Sequence, residues 1–523
     1  MTNSGTAVQG TGRGGKVLFV VIDQLRADCV SGGLAGAVDL PNLRALMAES
    51  VSFANHFTVT TPCGPARASL LTGLYAMNHR SVRNGAPLER HHTNLALEAR
   101  KAGYEPLLFG YTDTSADPAG RHPNDPDLKN YEGLMAGFAE VVQMRLDTNY
   151  AWRADLKAKG YVLPEEYLGM YGAVDHEGNG RLNNPTLYRA EDSDTAFLTN
   201  ETLKALSVRE DQDWFAHVTY LRPHPPLAAP APYNDMYAGD AVPLANCPSD
   251  VAAQKAVHPV FEAYFSEPAV KNLYFGFDGH LVRMTESDRQ SLRAIYLGLA
   301  TEVDAHIGRL IDYLKASGQY DDTLIIVTAD HGEMLGDHFM WGKESIYDPA
   351  FHVPLIIRDP HRRQGAGTVV DSFTEAVDIA PTLLDWMGLE IPPAFNGYSL
   401  LPFVEGAGQP GWRDHVFCEL DLGDPVSPTR YQRSLALAWG DANLAILRER
   451  RFKYVHFNGG LPPLLFDMVA DPSELNDLAG DPAYAPELLR LSRRMLDHRM
   501  SHAARSAPSM KLTAEGVRRA ECR

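Results

Sequence analysis

The chain has 523 residues, 45% hydrophobic and 22% charged, with a formal net charge of −18 at pH 7. That length and balance suit a soluble globular protein with a large core and more than one subdomain. The acidic excess argues against nucleic acid and anionic membrane as partners, and any cationic pocket must be local, set by a metal and a few Lys, Arg and His residues.

Residues 1–15 are Gly/Thr/Ser-rich without the apolar stretch of a secretory leader, so a flexible N-terminus and a cytoplasmic protein are expected. Val17 to Ile22 is a buried-strand pattern ending at Asp23, too short to span a bilayer. Pro41 to Ser50 reads as a helix carrying Leu43, Leu46 and Met47. Pro106 to Gly110 and Trp214 to Tyr220 read as two more buried strands, the latter entering the loop Leu221 to Pro226. Pro, Gly, Asn and Asp crowd residues 115–200 and 225–280, which predicts loop-rich excursions there.

Thr285 with Asp288 forms a capping-box pattern, and Ile295, Leu299, Val303, Ile307, Leu310 and Leu314 keep helical spacing up to Gly318. Thr323 to Thr328 and Val353 to Ile357 are the fourth and fifth core strands. Strands alternating with helices predict an α/β protein with a central, mostly parallel sheet flanked by helices. After residue 400 the pattern changes. Leu435 to Trp439, Ala445 to Arg448 and Lys453 to Phe457 read as short antiparallel strands, and Tyr484 to His502 as a helix. The expected organisation is an α/β domain over 16–400, a smaller C-terminal α+β subdomain with an antiparallel sheet over 401–505, and a polar tail over 506–523.

The five cysteines, Cys29, Cys63, Cys247, Cys418 and Cys522, are odd in number and widely spaced, which is no disulfide framework. Two polar pairs stand at strand ends: Asp23-Gln24 after the first strand and Asp330-His331 after the fourth. Carboxyl ends of parallel strands are where open α/β sheets bind ligands. An Asp after a strand is often only a turn residue. Two carboxylates, an amide oxygen and an imidazole together suit one divalent cation. Ca²⁺ prefers oxygen alone, and the histidine moves the balance to Mn²⁺, Zn²⁺ or Fe²⁺.

The string Thr61-Pro62-Cys63-Gly64-Pro65-Ala66-Arg67-Ala68-Ser69-Leu70-Leu71-Thr72-Gly73 resembles the sulfatase signature, a cysteine in a Cys-x-Pro-x-Arg frame. Thr328-Ala329-Asp330-His331-Gly332-Glu333, with Gly336-Asp337-His338 and Gly342-Lys343, is similar to a second stretch of that family. If Pro65 opens a helix, Cys63 and Arg67 share a face. The resemblance runs from Lys16 to about His502 and points to the phosphonate monoester hydrolase and phosphodiesterase branch of the alkaline phosphatase superfamily. Asp23-Gln24 stands where a sulfatase has Asp-Asp. Gly110-Tyr111-Thr112-Asp113-Thr114-Ser115-Ala116-Asp117-Pro118 lacks the Lys and His of the sulfatase motif Gly-Tyr-x-Thr-x-x-x-Gly-Lys-x-His.

What the resemblance implies is an alkaline phosphatase-like fold and a Cα-formylglycine made from Cys63 by a formylglycine-generating enzyme. It also implies one divalent metal, Mn²⁺ first, held by Asp23, Gln24, Asp330, His331 and residue 63. Arg67 would hold the nucleophile, His224 or Lys343 would protonate the leaving group, and Asn84, Tyr111, His224 and Lys343 would contact a small anionic ester. Asp113 interrupts a Thr-rich run and sets an extra carboxylate near the anion. A homo-oligomer, tetramer or dimer, is expected. A dedicated arylsulfatase and a non-catalytic metal-binding scaffold on the same fold remain alternatives.

Overall fold

Strand β1 (Lys16–Ile22) is buried along its whole length because it lies in the middle of the sheet with helices on both faces. Its side chains alternate between two cores. Leu18, Val20 and Ile22 pack with Ile295, Leu299 and Val303 of a long helix; Val17, Phe19 and Val21 pack with Leu70, Leu71 and Leu383 on the other face. Each such side chain contributes roughly 1.5–3 kcal/mol by leaving water. The computed structural model describes residues 15–174, 181–503, 510–514 and 516–519. The N-terminal segment expected to be flexible lies outside the described residues except for Gly15.

The other strands of the sheet are β2 (Val51–Phe57), β3 (Pro106–Gly110), β4 (Ala139–Gln143), β5 (Phe215–Tyr220), β6 (Thr323–Thr328), β7 (Leu355–Arg358) and β8 (Thr368–Glu375), in the order β4-β3-β5-β1-β6-β7-β2-β8. All neighbours are parallel except β7, which is antiparallel to both β6 and β2. This exception positions the site. Thr328 of β6 pairs with Leu355 of β7, so the segment between them leaves and returns at the same edge of the sheet. It carries Asp330, His331 and Lys343 over that edge instead of crossing a face.

Helices α1 (Pro41–Ala48), α2 (Cys63–Thr72), α3 (Asp194–Ser207), α4 (Glu286–Ala316) and α5 (Ile379–Trp386) cover the sheet. Helix α4 runs for 31 residues, with Thr285 and Asp288 forming the expected reciprocal cap. Helix α2 opens at Cys63 itself, two residues before Pro65, and all ten of its residues are buried.

A second sheet of β9 (His415–Asp421), β10 (Asn443–Glu449), β11 (Phe452–Phe457) and β12 (Leu464–Asp467) is antiparallel, in the order β12-β11-β10-β9. Helix α6 (Ala485–His502) packs Leu491 and Met495 on it. Leu435 to Trp439 is not a strand. A short helix, Arg430–Leu435, ends there with Ala436 in the left-handed conformation, because Thr429 and Gln432 form a capping box that claims the segment. The excursion over 115–200 also contains β4, a helix at Tyr150–Ala158 and the first half of α3. In the tail, Met510–Thr513 pairs with Gly516–Arg519 as an antiparallel hairpin.

Candidate active site

The site forms where β1 and β6 end side by side. The backbone N–H of Asp23 still donates to Tyr220 of β5 at 3.0 Å, so its carboxylate is fixed by the sheet. Gln24 then turns with φ of 67°, an unfavourable region for a residue with a β-carbon. Its N–H donates to Asp330 Oδ1 at 3.1 Å, which ties the end of β1 to the end of β6. His331 Nδ1 lies 2.9 Å from the Gly332 carbonyl oxygen, which fixes the N–H there and leaves the Nε2 lone pair for the site.

Helix α2 delivers the remaining groups. Cys63 is its first residue, and Arg67 follows one turn later on the same face. Cys63 Sγ lies 3.2 Å from His331 Nε2 and 3.2 Å from Lys343 Nζ. Lys343 Nζ also donates to Gln24 Oε1 at 2.9 Å. Asn84 Oδ1 accepts the Gly64 N–H at 2.9 Å. A β-carbon on Gly64 would come within 2.9 Å of that oxygen and 3.0 Å of the Asp113 carbonyl, so a larger neighbour of Cys63 would press on both.

Arg67 does not reach Cys63 through any of its hydrogen bonds. Its guanidinium donates to Asp23 Oδ2 at 3.1 Å, Asp330 Oδ2 at 3.0 Å and the Tyr111 carbonyl at 3.2 Å. The Tyr111 ring lies 4.1 Å beneath it, and the Tyr111 hydroxyl donates to Asp23 Oδ2. Arg67 and Tyr111 therefore set the position of the two carboxylates. Asp113 stands 3.9 Å from Arg67 Nε. His224 is half-buried, and its charge state responds to Lys343, Asp23 and His331. His338 is elsewhere: stacked on Tyr347 at 3.5 Å, it bonds to Gln254 and the Ser473 carbonyl as part of the core.

Asp23, Cys63, Asp330 and His331 each present a donor atom, all within 4.8 Å of one another. Asp23 Oδ1 is buried without a hydrogen-bond partner. An orphan carboxylate oxygen grouped with a second carboxylate, the residue-63 side chain and an imidazole lone pair is what a divalent cation of mixed O/N preference fits. Electrostatics agree. Burial raises the Asp330 carboxyl to about 7, with Asp23 adding to the shift. Burial opposes the charge on Asp23 too, but the Arg67 guanidinium and the Lys343 ammonium outweigh it and hold that carboxyl below its usual range. Burial, with Asp23, pushes the Cys63 thiol well up, so an unmodified cysteine here is a protonated, poor nucleophile. Burial and then Lys343 lower His331 to about 3 and His224 to about 3, leaving both imidazoles neutral. Burial works against the charge on Lys343, but the Asp23 carboxylate outweighs it and Lys343 stays an ammonium.

One residue escaped the sequence reading. Glu333 is buried, accepts the side-chain N–H of Gln24, and accepts the Leu335 N–H at 2.9 Å. It thereby turns the Gln24 oxygen toward Lys343 and the donor cluster. Its signal in the sequence was only its place in the Asp330-His331-Gly332-Glu333 string.

The sulfatase family model matches residues 16–389, and a model of the C-terminal part of N-sulphoglucosamine sulphohydrolase matches residues 336–501. The multifunctional alkaline phosphatase superfamily protein PehA of Trinickia caryophylli is 38% identical over 509 residues, covering 96% of this chain and 98% of that protein. The phosphonate monoester hydrolase of Silicibacter pomeroyi superposes with a TM-score of 0.93 at 51% identity, covering 97% of this chain and 99% of that one. That of Agrobacterium radiobacter does so with a TM-score of 0.92 at 41% identity, covering 97% and 100%. The chain belongs to the sulfatase family of the alkaline phosphatase superfamily, and is thus an ester hydrolase whose family implies a metal ion and a formylglycine in this site.

Proposed function

We propose that the protein hydrolyses phosphonate monoesters and phosphodiesters, with aryl sulfate ester hydrolysis beside them. The observation that carries this reading is the count of free positive charge. Arg67 is committed to Asp23 and Asp330, which leaves Lys343 as the side-chain cation beside Cys63 among the described residues. Pro118, at the position of the sulfatase-motif lysine, is exposed and offers no charge. One metal and one ammonium match a singly charged ester; a dianionic phosphate monoester wants more positive charge. The names of the two structurally similar hydrolases support the phosphonate assignment.

In this reading Asp23, Gln24, Asp330 and His331 hold the cation with residue 63, and the mixed donor set favours Mn²⁺. The cation and the formylglycine supply charge neutralisation and a hydrated aldehyde as nucleophile. Arg67 and Tyr111 keep the two carboxylates aimed. Lys343 stabilises charge on the ester oxygens and, held as an ammonium, passes a proton only to a leaving group as basic as an alkoxide. His224, neutral and at the rim, hydrogen-bonds the leaving oxygen, and the Asn84 amide, fixed by Gly64, contacts a non-bridging oxygen. The test is kcat/KM on para-nitrophenyl esters of a phosphonate, a phosphate diester, sulfate and phosphate. The expected order places the first two above sulfate and phosphate monoester last. Sulfate turned over best by a wide margin would mean a dedicated arylsulfatase.

A further inference from the structure

Beside the donor cluster lies a group of carboxylates that metal chemistry does not use. Asp113 is 6% exposed, and its Oδ1 has no hydrogen-bond partner. It is outside the set of donor atoms that cluster within 4.8 Å of one another. Its nearest cation, Arg67 at 3.9 Å, is already shared between Asp23 and Asp330. Asp113 also holds φ of 47°, so the backbone bears strain to keep the side chain where it is.

The neighbouring segment repeats the pattern. The Thr114 N–H donates to the Gly133 carbonyl at 3.0 Å, and the Met135 N–H donates to Thr112 Oγ1 at 2.8 Å. A β-carbon on Gly133 would sit 2.4 Å from the Thr114 carbonyl oxygen, so the two segments are in direct backbone contact. This lays Tyr131 and Glu132 alongside Asp113. Glu132 is 5% exposed with Oε2 unpartnered, and burial together with a side-chain hydrogen bond shared with Asp147 pushes its carboxyl up to about 10, so that pair keeps one proton between them until a cation replaces it. Tyr131 is 42% exposed and within electrostatic range of Asp113, Glu132, Asp147 and Cys63. Tyr167 is half-buried and within electrostatic range of Asp147 and Glu132. The basic side chain nearest Glu132, Arg145, pairs with Glu140 at 2.6 Å. Two unpartnered buried carboxylate oxygens next to an anion site are costly unless they hold a proton or something positive arrives with the anion.

We propose that Asp113, Glu132 and Asp147, with the rings of Tyr131 and Tyr167, form a cation subsite that takes an ammonium group carried on the ester. The substrate class is then a zwitterion: a singly charged phosphorus or sulfur ester whose organic arm ends in an amine or quaternary ammonium. Tyrosine faces bind such a cation through their quadrupoles, and the carboxylates supply the counter-charge. The proposal rests on the ester-hydrolase reading above and adds the charge of the organic arm to it.

The test compares two diesters with one leaving group: para-nitrophenyl phosphorylcholine and its carbon isostere, para-nitrophenyl neohexyl phosphate. Both carry one negative charge at phosphorus and differ only in the quaternary nitrogen. The expected result is a preference of at least about tenfold in kcat/KM for the choline ester. Asp113→Asn and Glu132→Gln should each bring that ratio down toward 1. A ratio near 1 in the unaltered enzyme, or a ratio that neither substitution changes, overturns the subsite. Turnover of the neohexyl ester tests the phosphodiesterase reading separately. If neither diester is cleaved, thermal shifts with choline and with neohexanol decide the subsite: stabilisation by choline alone, lost in both variants, supports it, and equal or no stabilisation overturns it.

Discussion

Glu333 accepts the side-chain N–H of Gln24, and so decides which end of that amide faces the donor cluster. An amide has a donor end and an acceptor end, and only the oxygen can face both a cation and the Lys343 ammonium. Glu333→Gln removes the charge and makes the partner ambiguous. Metal affinity should fall about 10–100-fold, in the range seen when a group behind a ligand is altered. Metal titration by calorimetry checks this, and unchanged affinity would show that Gln24 holds its orientation without Glu333.

Cys63 is expected to be formylglycine in active protein. Peptide mass spectrometry should find residue 63 lighter by about 18 Da than cysteine, the difference between CH₂SH and CHO. Cys63→Ala should lower kcat/KM by at least about a thousandfold, as loss of a covalent nucleophile does. Cys29→Ala, a change in the core between α4 and the sheet, should keep the activity. Full activity with an intact thiol at residue 63 would refute the assignment.

Asp330→Asn keeps one acceptor, for either Arg67 or the Gln24 N–H, and removes the charge that a divalent cation needs. Metal content measured by elemental analysis should drop from about one ion per chain to a small fraction of that. The fold should survive, since Asp330 stands past the end of β6. Retention of a full equivalent of metal would place the ion elsewhere.

The pH dependence of stability has a clear contributor in His79. Its Nδ1 accepts the Ser81 N–H at 3.1 Å and its Nε2 lies 2.9 Å from Ser69 Oγ, so the neutral ring is built into the turn after α2. Burial pushes it down to about 3, from 6.5 in the unfolded chain. Between those values the unfolded state binds a proton that the folded state refuses. Stability is therefore complete above pH 6.5 and declines as pH falls toward 3, by up to about 1.4 kcal/mol per pH unit from this residue. Urea midpoints across that window should slope less steeply in His79→Gln. Equal slopes would mean that His79 is protonated in the folded protein.

Much of the sheet could be read from the sequence because β1, β3, β5 and β6 are central or nearly so, and their apolar runs are uninterrupted. Three strands could not. In β2, Ser52, Asn55 and His56 break the run, and only pairing with β8 explains them, His56 Nδ1 lying 3.0 Å from Thr374 Oγ1. Strands β4 and β8 are edges with exposed positions, so they lack a continuous hydrophobic signature. At the site, the residues that stand after strands or inside the Cys63 string were visible as chemistry. Glu333 was not, because a glutamate one residue past Gly332 looks like a solvated loop residue until the register of β1 against β6 puts it behind Gln24. Arg67 was visible, but that it grips Asp23 and Asp330 rather than Cys63 depends on how deep α2 sits.

The burial of α2 has a consequence for how the protein is made. Cys63 is 4% exposed in the finished fold, and the His331 that closes over it comes 268 residues later in the chain. An enzyme that oxidises Cys63 needs the peptide accessible, and the folded protein denies it that access. At about 5–20 residues per second of synthesis, the interval between the two residues lasts on the order of tens of seconds. If Cys63 is so converted, maturation is a race between a catalyst and a sheet that has yet to receive β6. A chain that wins the race by folding first would be well packed, metal-competent and permanently without its nucleophile.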